Sequence, residues 1–164
     1  MAAHVHCSLD GAVATLLIDR PAVRNAIALE TVDALLAGLA KAHADRGVRA
    51  VVITGSGDRA FASGADLDEL ATLAGDPQAA LAYDAQVARL YQALRDSPLP
   101  VIARIQASAI GGGLLLALAC DCRVAVDTAR FAVPAARIGV MLSAIEHKLV
   151  CDAIGPSWAR ALLA

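Results

Sequence analysis

Apolar and polar positions alternate from His4 to Leu9, with Val5, Cys7 and Leu9 on one side and His4 and His6 on an outer, solvated side. Asp10-Gly11 is a two-residue hairpin signal, and Ala12–Asp19 reads as the returning strand until Arg20-Pro21 breaks it. The period then lengthens. Leu29–Asp45 carries one helical stripe, made of Val32, Leu35, Leu36, Leu39 and Ala40, and Gly47 ends it. Arg49–Thr54 is a short strand whose centre, Val51-Val52-Ile53, is wholly apolar, the pattern of a parallel strand covered on both faces. Asp66–Leu73 forms a short helix. Asp76-Pro77 opens a longer one, Gln78–Arg95, with Leu81, Ala85, Ala88, Leu90, Tyr91 and Leu94 inward. Strand, helix and strand in succession predict an α/β architecture in a single domain, residues 1–164, with no internal sequence repeat or linker.

The second half turns on Pro100–Asp121. Val101–Ile105 is a β-branched run with the character of a buried strand, followed by a small-residue connection, then Gly111-Gly112-Gly113, then a helix over Leu114–Cys120. Glycines between a strand and a helix let another group approach the backbone and aim free N–H groups at it from the positive end of the helix. That makes an anion or oxyanion site; the same glycines would equally serve close helix packing. Cys122–Val126 and Phe131–Val133 read as strands and Arg137–Val140 as a loop. Ser143 and Glu146 form a capping box opening a helix to Ala153, and Gly155-Pro156 ends that helix and starts another, Ser157–Leu163.

Composition adjusts this picture in two ways. Hydrophobic residues make up 58% and aromatic residues only 3%, so alanine supplies much of the core and apolar surface is left over for a partner subunit. The net charge of −2 is spread along the chain without a basic stripe, which argues against nucleic acid and anionic membranes as partners. No apolar run reaches membrane-spanning length, and MAAHVHCSLDG lacks the charged-then-apolar order of a leader, so a cytoplasmic location is expected. Cys7, Cys120, Cys122 and Cys151 have no zinc-type spacing; buried reduced thiols and no metal are expected. Gly55-Ser56-Gly57-Asp58-Arg59-Ala60 fits the GxGxxA dinucleotide pattern, which needs a helix starting at Gly57; a surface turn is the competing interpretation.

PVIARIQASAIGGGLLLALACDCRVAVDTARFAVPAARIGV and RAVVITGSGDRAFASGADLDEL together resemble the enoyl-CoA hydratase/isomerase (crotonase) superfamily. DRPAVRNAI looks like its RPxxxNA loop, and VPAARIGVMLSAIEHKLVCDAIGPSWARALL is similar to its next segment. The resemblance implies a crotonase-like spiral of ββα units, an acyl-CoA thioester substrate, and no cofactor beyond the CoA that the substrate carries. It implies two backbone N–H groups that stabilise a thioester enolate, falling on Ala65 and Gly112. It also implies CoA contacts from Arg24, Ala26, Gly64, Ala65, Asp66, Leu67, Asp68, Gly111 and Gly112, with Arg24 as a phosphate partner. A homo-oligomer, trimer or hexamer, follows from the same resemblance.

The departures are specific. A typical hydratase of this family has two glutamates; here their positions hold Leu115 and Ala135, neither of which can move a proton. Ala107 replaces a common glycine. Glu146 and Ser143 are explained by their capping box, Asp66 by a helix N-terminus, and His147 by solvent. Family members continue past the equivalent of residue 164, so the C-terminal helical part is expected to be missing, leaving the Leu35, Leu114–Leu118 and Leu149 region less covered. An acyl-CoA enzyme of enolate chemistry, a catalytically inactive truncated relative and a dinucleotide-binding oxidoreductase are the three functions to be distinguished.

Overall fold

The computed structural model describes residues 4–163; residues 1–3, part of the stretch read for a leader, and Ala164 lie outside the described residues. The hairpin is β1 (Val5–Asp10) and β2 (Val13–Ile18), and Gly11 supplies the positive φ its turn needs. A 3-10 turn, Pro21–Val23, leads to α1 (Leu29–Ala44). Then come β3 (Ala50–Gly55), β4 (Ala60–Ala62), α2 (Leu67–Thr72) and α3 (Pro77–Arg95). The second half is β5 (Val101–Ile105), β6 (Ser108–Ile110), α4 (Gly112–Ala119), β7 (Cys122–Ala125), β8 (Phe131–Ala132), a 3-10 turn Ala135–Ile138 and α5 (Ala144–Leu163), broken at Gly155.

Two sheets divide these strands. One runs β1-β2-β3-β5-β7, the other β4-β6-β8. Every pairing except the β1–β2 hairpin is parallel. Each successive strand pair, β3/β4, β5/β6 and β7/β8, therefore sends one strand to each sheet before a helix carries the chain to the next turn. This is a spiral of ββα units, and it makes each glycine-bearing turn after the small sheet a neighbour of the one before it. Val51 and Ile53 of β3 and Val101, Ala103 and Ile105 of β5 are buried at the centre of the larger sheet, where both strand neighbours are parallel.

Several expectations are corrected. β4 and β6 are strands that the sequence pattern does not predict, because each is only three residues long, made mostly of small residues, and its partners are distant in sequence. Gly57 lies in a turn between β3 and β4 with no helix behind it, which removes the dinucleotide site. Cys7 and Leu9 are exposed on β1, an edge strand with β2 as its one neighbour in the sheet. Ala40 of α1 is exposed, as are Leu81 and Ala85 of α3; Tyr83 and Val87 face inward instead, extending the stripe of Leu90, Tyr91 and Leu94. Two of the four thiols, Cys7 and Cys122, are exposed rather than buried. Leu35, Leu114, Leu115, Leu116 and Leu149 are all at most 5% exposed, contrary to the expected thin cover; α3 and α5 pack against α4 and close that region. Exposed apolar side chains lie at β7 with Val124, at Phe131, at Trp158, and at Leu67 and Met141, which border the same cavity as Leu115. Among the described residues no helix is long and apolar enough to cross a membrane.

Candidate active site

The turn after β4 is built to hold its backbone still. Gly64 has φ +104°, a conformation that glycine alone adopts without strain. The Gly64 carbonyl accepts from the Ile27 N–H at 2.8 Å, and the Asp66 N–H donates to the Ile27 carbonyl at 3.0 Å. Extended backbone alternates its polar groups from side to side. With Gly64 and Asp66 bonded toward Ile27, the N–H of Ala65 between them points the opposite way.

Asp66 then closes the turn. Its side chain accepts from the Asp68 and Glu69 N–H groups as the N-cap of α2, and it meets Arg20 at 2.9 Å. Arg20 also donates to the Ala26 carbonyl at 2.6 Å, tying the 3-10 turn to the same corner. Burial pushes the Asp66 carboxyl up, but the Arg20 hydrogen bond, the Glu69 and Asp68 N–H groups and the Arg20 charge outweigh it, so its pKa lies below the ordinary 3.8. A carboxyl depressed on folding contributes stability above about pH 4 that is lost as the pH falls through its folded pKa. Replacing Arg20 with glutamine therefore flattens the acid limb of the stability curve. Urea midpoints at pH 7 and pH 3 measure this; equal acid losses in R20Q and wild type would refute the role given to the pair.

The second turn comes from the next unit of the spiral. Gly111 has φ +53°, and its N–H is used by the Ala132 carbonyl at 2.8 Å. Gly112 follows as the first residue of α4, where the helix offers its N–H no acceptor. The two turns touch. A Cβ placed on Gly64 would lie 3.3 Å from the Gly112 nitrogen, and one placed on Gly112 would lie 3.5 Å from the Ala65 nitrogen. Residues 47 positions apart in sequence thus present neighbouring backbone nitrogens.

Both turns line a cavity of about 270 Å³. Gly64, Ala65, Leu67, Gly111 and Gly112 border it, and so do Leu115 and Ala135, the positions at which the resemblance looks for glutamates. The other sequence candidates lie outside it. Asp66 is occupied at its cap, Asp68 is exposed on α2, and Ala26 is buried behind the turn. Arg24 is exposed beside a separate hollow of about 30 Å³ with Asp58 and Arg59.

The cavity has polar residues that the sequence reading did not assign to it. Tyr83, Asp84 and Tyr91 come from α3, and Ser143 and Glu146 from the start of α5. Tyr83, Val87 and Tyr91 recur every four residues, a helical stripe that could have flagged the first tyrosine. The Tyr91 hydroxyl lies 3.5 Å from the Gly112 carbonyl. Burial, with smaller contributions from the Glu146 charge and Tyr83, holds its pKa well above the usual phenol value, so it is a neutral hydroxyl. Burial likewise raises Tyr83 to about 12, helped by Glu69, Asp84, Glu146 and Asp66. Glu146 Oε2 accepts from the Ser143 N–H at 2.8 Å and from its hydroxyl at 2.9 Å, one half of the expected capping box.

A spiral of ββα units with two glycine-bearing turns over an apolar cavity defines a class of protein. The family model for enoyl-CoA hydratase/isomerase matches residues 9–164, and the chain belongs to that family. It is 38% identical to the "Probable enoyl-CoA hydratase echA6" of Mycobacterium tuberculosis over 93% of this chain and 59% of that protein. It is 30% identical to the crotonyl-CoA hydratase of Syntrophomonas wolfei over 92% of this chain and 57% of that one. The crystal structure of an enoyl-CoA hydratase/carnithine racemase from Magnetospirillum magneticum superposes with a TM-score of 0.94 at 34% identity, covering 99% of this chain and 61% of that chain. The chain thus spans about three-fifths of the length of the relatives it matches.

Proposed function

We propose that the chain binds an acyl-CoA thioester with its carbonyl oxygen between the N–H groups of Ala65 and Gly112, and that these two amides stabilise the enolate formed from it. The observation that carries this reading is the close approach of two unused backbone N–H groups at an apolar cavity. An oxyanion needs donors already in place at about 3 Å, and losing one such donor costs about 3 kcal/mol of barrier. The apolar wall, Leu67, Leu70, Val87, Leu115 and Met141, suits an acyl chain of fatty acid metabolism. CoA binding is assigned to the backbone from Gly64 to Asp68 and to Gly111, with Ala26 behind that turn and Arg24 at the phosphate end. Other copies of the chain, as a trimer or hexamer, are the proposed macromolecular partners.

Gly112→Pro tests the donor, since proline fits the first position of a helix and lacks the N–H. Gly112→Ala is its control, because the added Cβ meets nothing closer than 3.5 Å. Titration calorimetry with crotonyl-CoA is expected to show binding by the wild type and a roughly tenfold loss in G112P. No heat from the wild type at millimolar ligand, or equal binding by G112P, would refute the reading.

A second reading has its own support. Leu115 and Ala135 border the cavity and leave it without the two carboxylates of a hydratase. On that basis the chain is an acyl-CoA binder without hydratase turnover. Hydration of crotonyl-CoA by the wild type would exclude it.

A further inference from the structure

The cavity retains a proton acceptor, supplied by a different element from those that carry Leu115 and Ala135. Glu146 projects from the first turn of α5 into the cavity wall and is half-buried. Ser143 holds one carboxylate oxygen, Oε2, with both its N–H and its hydroxyl. Among the described residues no hydrogen bond reaches the other oxygen, Oε1. The side chain is therefore fixed in place through one oxygen while the second stays open, which is what a positioned base requires.

The neighbouring acids do not share these properties. Asp84 also borders the cavity but is exposed on α3. Asp66 is committed to the α2 cap and to Arg20. Tyr91, whose hydroxyl lies beside Gly112, borders the same cavity as Glu146. Its burial keeps it a neutral phenol that cannot itself serve as the base.

Resting on the acyl-CoA reading above, we infer that Glu146 is the catalytic base of this cavity, removing and returning a proton at the α-carbon of the bound thioester. In the forward step the Glu146 carboxylate takes the α-hydrogen as a proton. The C–H electron pair becomes the new carbon–carbon π bond, and the carbonyl π pair moves onto oxygen. A carboxylate and a neutral thioester become a carboxylic acid and an enolate anion, with no change in total charge. Reversal returns the proton to the α-carbon, and exchange of the carboxylic proton with water labels the substrate.

The test uses the 164-residue chain with butyryl-CoA in D₂O, following α-deuteration by mass spectrometry and binding by calorimetry in parallel. Glu146→Gln is the informative variant, because glutamine still fills the last position of a capping box but cannot take up the proton. The wild type is expected to bind butyryl-CoA and to deuterate it faster than solvent alone. E146Q is expected to bind within about twofold of wild type and to lose about 10²- to 10⁴-fold in exchange rate. Exchange by E146Q at the wild-type rate overturns the assignment. Binding by the wild type without exchange above the solvent rate also overturns it and leaves the acyl-CoA reading standing. Absence of any binding overturns both.

Discussion

Gly113→Ala is expected to destabilise the fold by about 3 kcal/mol or more, the upper end of what forced overpacking costs. A Cβ on Gly113 would lie 2.2 Å from the Ala62 carbonyl oxygen, 2.7 Å from its carbon and 2.8 Å from the Ala62 Cβ. These are mostly backbone atoms of β4, which is paired with β6 and cannot yield as the end of a side chain can. Helix α4 would have to retreat by on the order of 1 Å to restore ordinary contact. The same retreat would part the Gly64–Ala65 turn from Gly112. The neighbouring Gly112→Ala supplies the contrast, with its nearest contact at 3.5 Å. Thermal unfolding should place G113A roughly 10 °C below wild type and G112A close to it. Equal melting temperatures for wild type and G113A would show that α4 does not pack on β4 as described.

Asn25→Asp is expected to cost at least as much at neutral pH, although it changes only an NH₂ group to an oxygen. Asn25 is fully buried with a positive φ of 56°, and its side chain bridges three segments. Oδ1 accepts from the Arg20 N–H at 3.0 Å, while Nδ2 donates to the carbonyls of Ser56 at 2.9 Å and Ala60 at 2.8 Å. An aspartate would aim a buried charged oxygen at two carbonyl oxygens, taking from Ser56 its side-chain donor and leaving Ala60 only the Gln106 Nε2 donor at 2.9 Å. The lower limit is about 3 kcal/mol, as for other broken buried networks. The sign of the pH dependence follows. This carboxyl would titrate higher in the folded chain than its unfolded value of about 3.9, so the penalty is full above the folded pKa and fades as the pH falls below it. Urea unfolding of N25D and wild type at pH 7 and pH 4 reads this out. A gap between the two proteins that fails to narrow at pH 4 would contradict the account of the network.

These two positions differ in how far their roles could be read without coordinates. The GGG run announces close approach or free amides because glycine after a strand has few other uses. Both uses are present, Gly113 providing the close approach and Gly112 the free amide. Asn25 carried no such signal. Its role needs Arg20, Ser56 and Ala60 together, and the bonds that unite them span up to 35 positions. The amino end of α1 is similar. It has no side-chain cap of its own, and the Leu29 N–H is taken by Glu69 Oε2 of α2 at 2.9 Å, 40 positions along the chain.

Periodicity, punctuating glycines and prolines, and local caps determined the large-sheet strands, the principal helices and the Gly111–Gly113 turn, because each depends on residues within a few positions of one another; the Gly64–Ala65 turn was legible only through the family resemblance. The capping acids Asp66 and Asp76 belong to the same legible part. Only the tertiary structure decided that β4 and β6 are strands, that α3 turns Tyr83 and Tyr91 toward the cavity, and that Glu146 stands in its wall beside Leu115 and Ala135. A three-residue strand is stable only through partners supplied by later turns of the spiral. A cavity, likewise, is a property of surfaces that meet, and no single segment of the chain contains it.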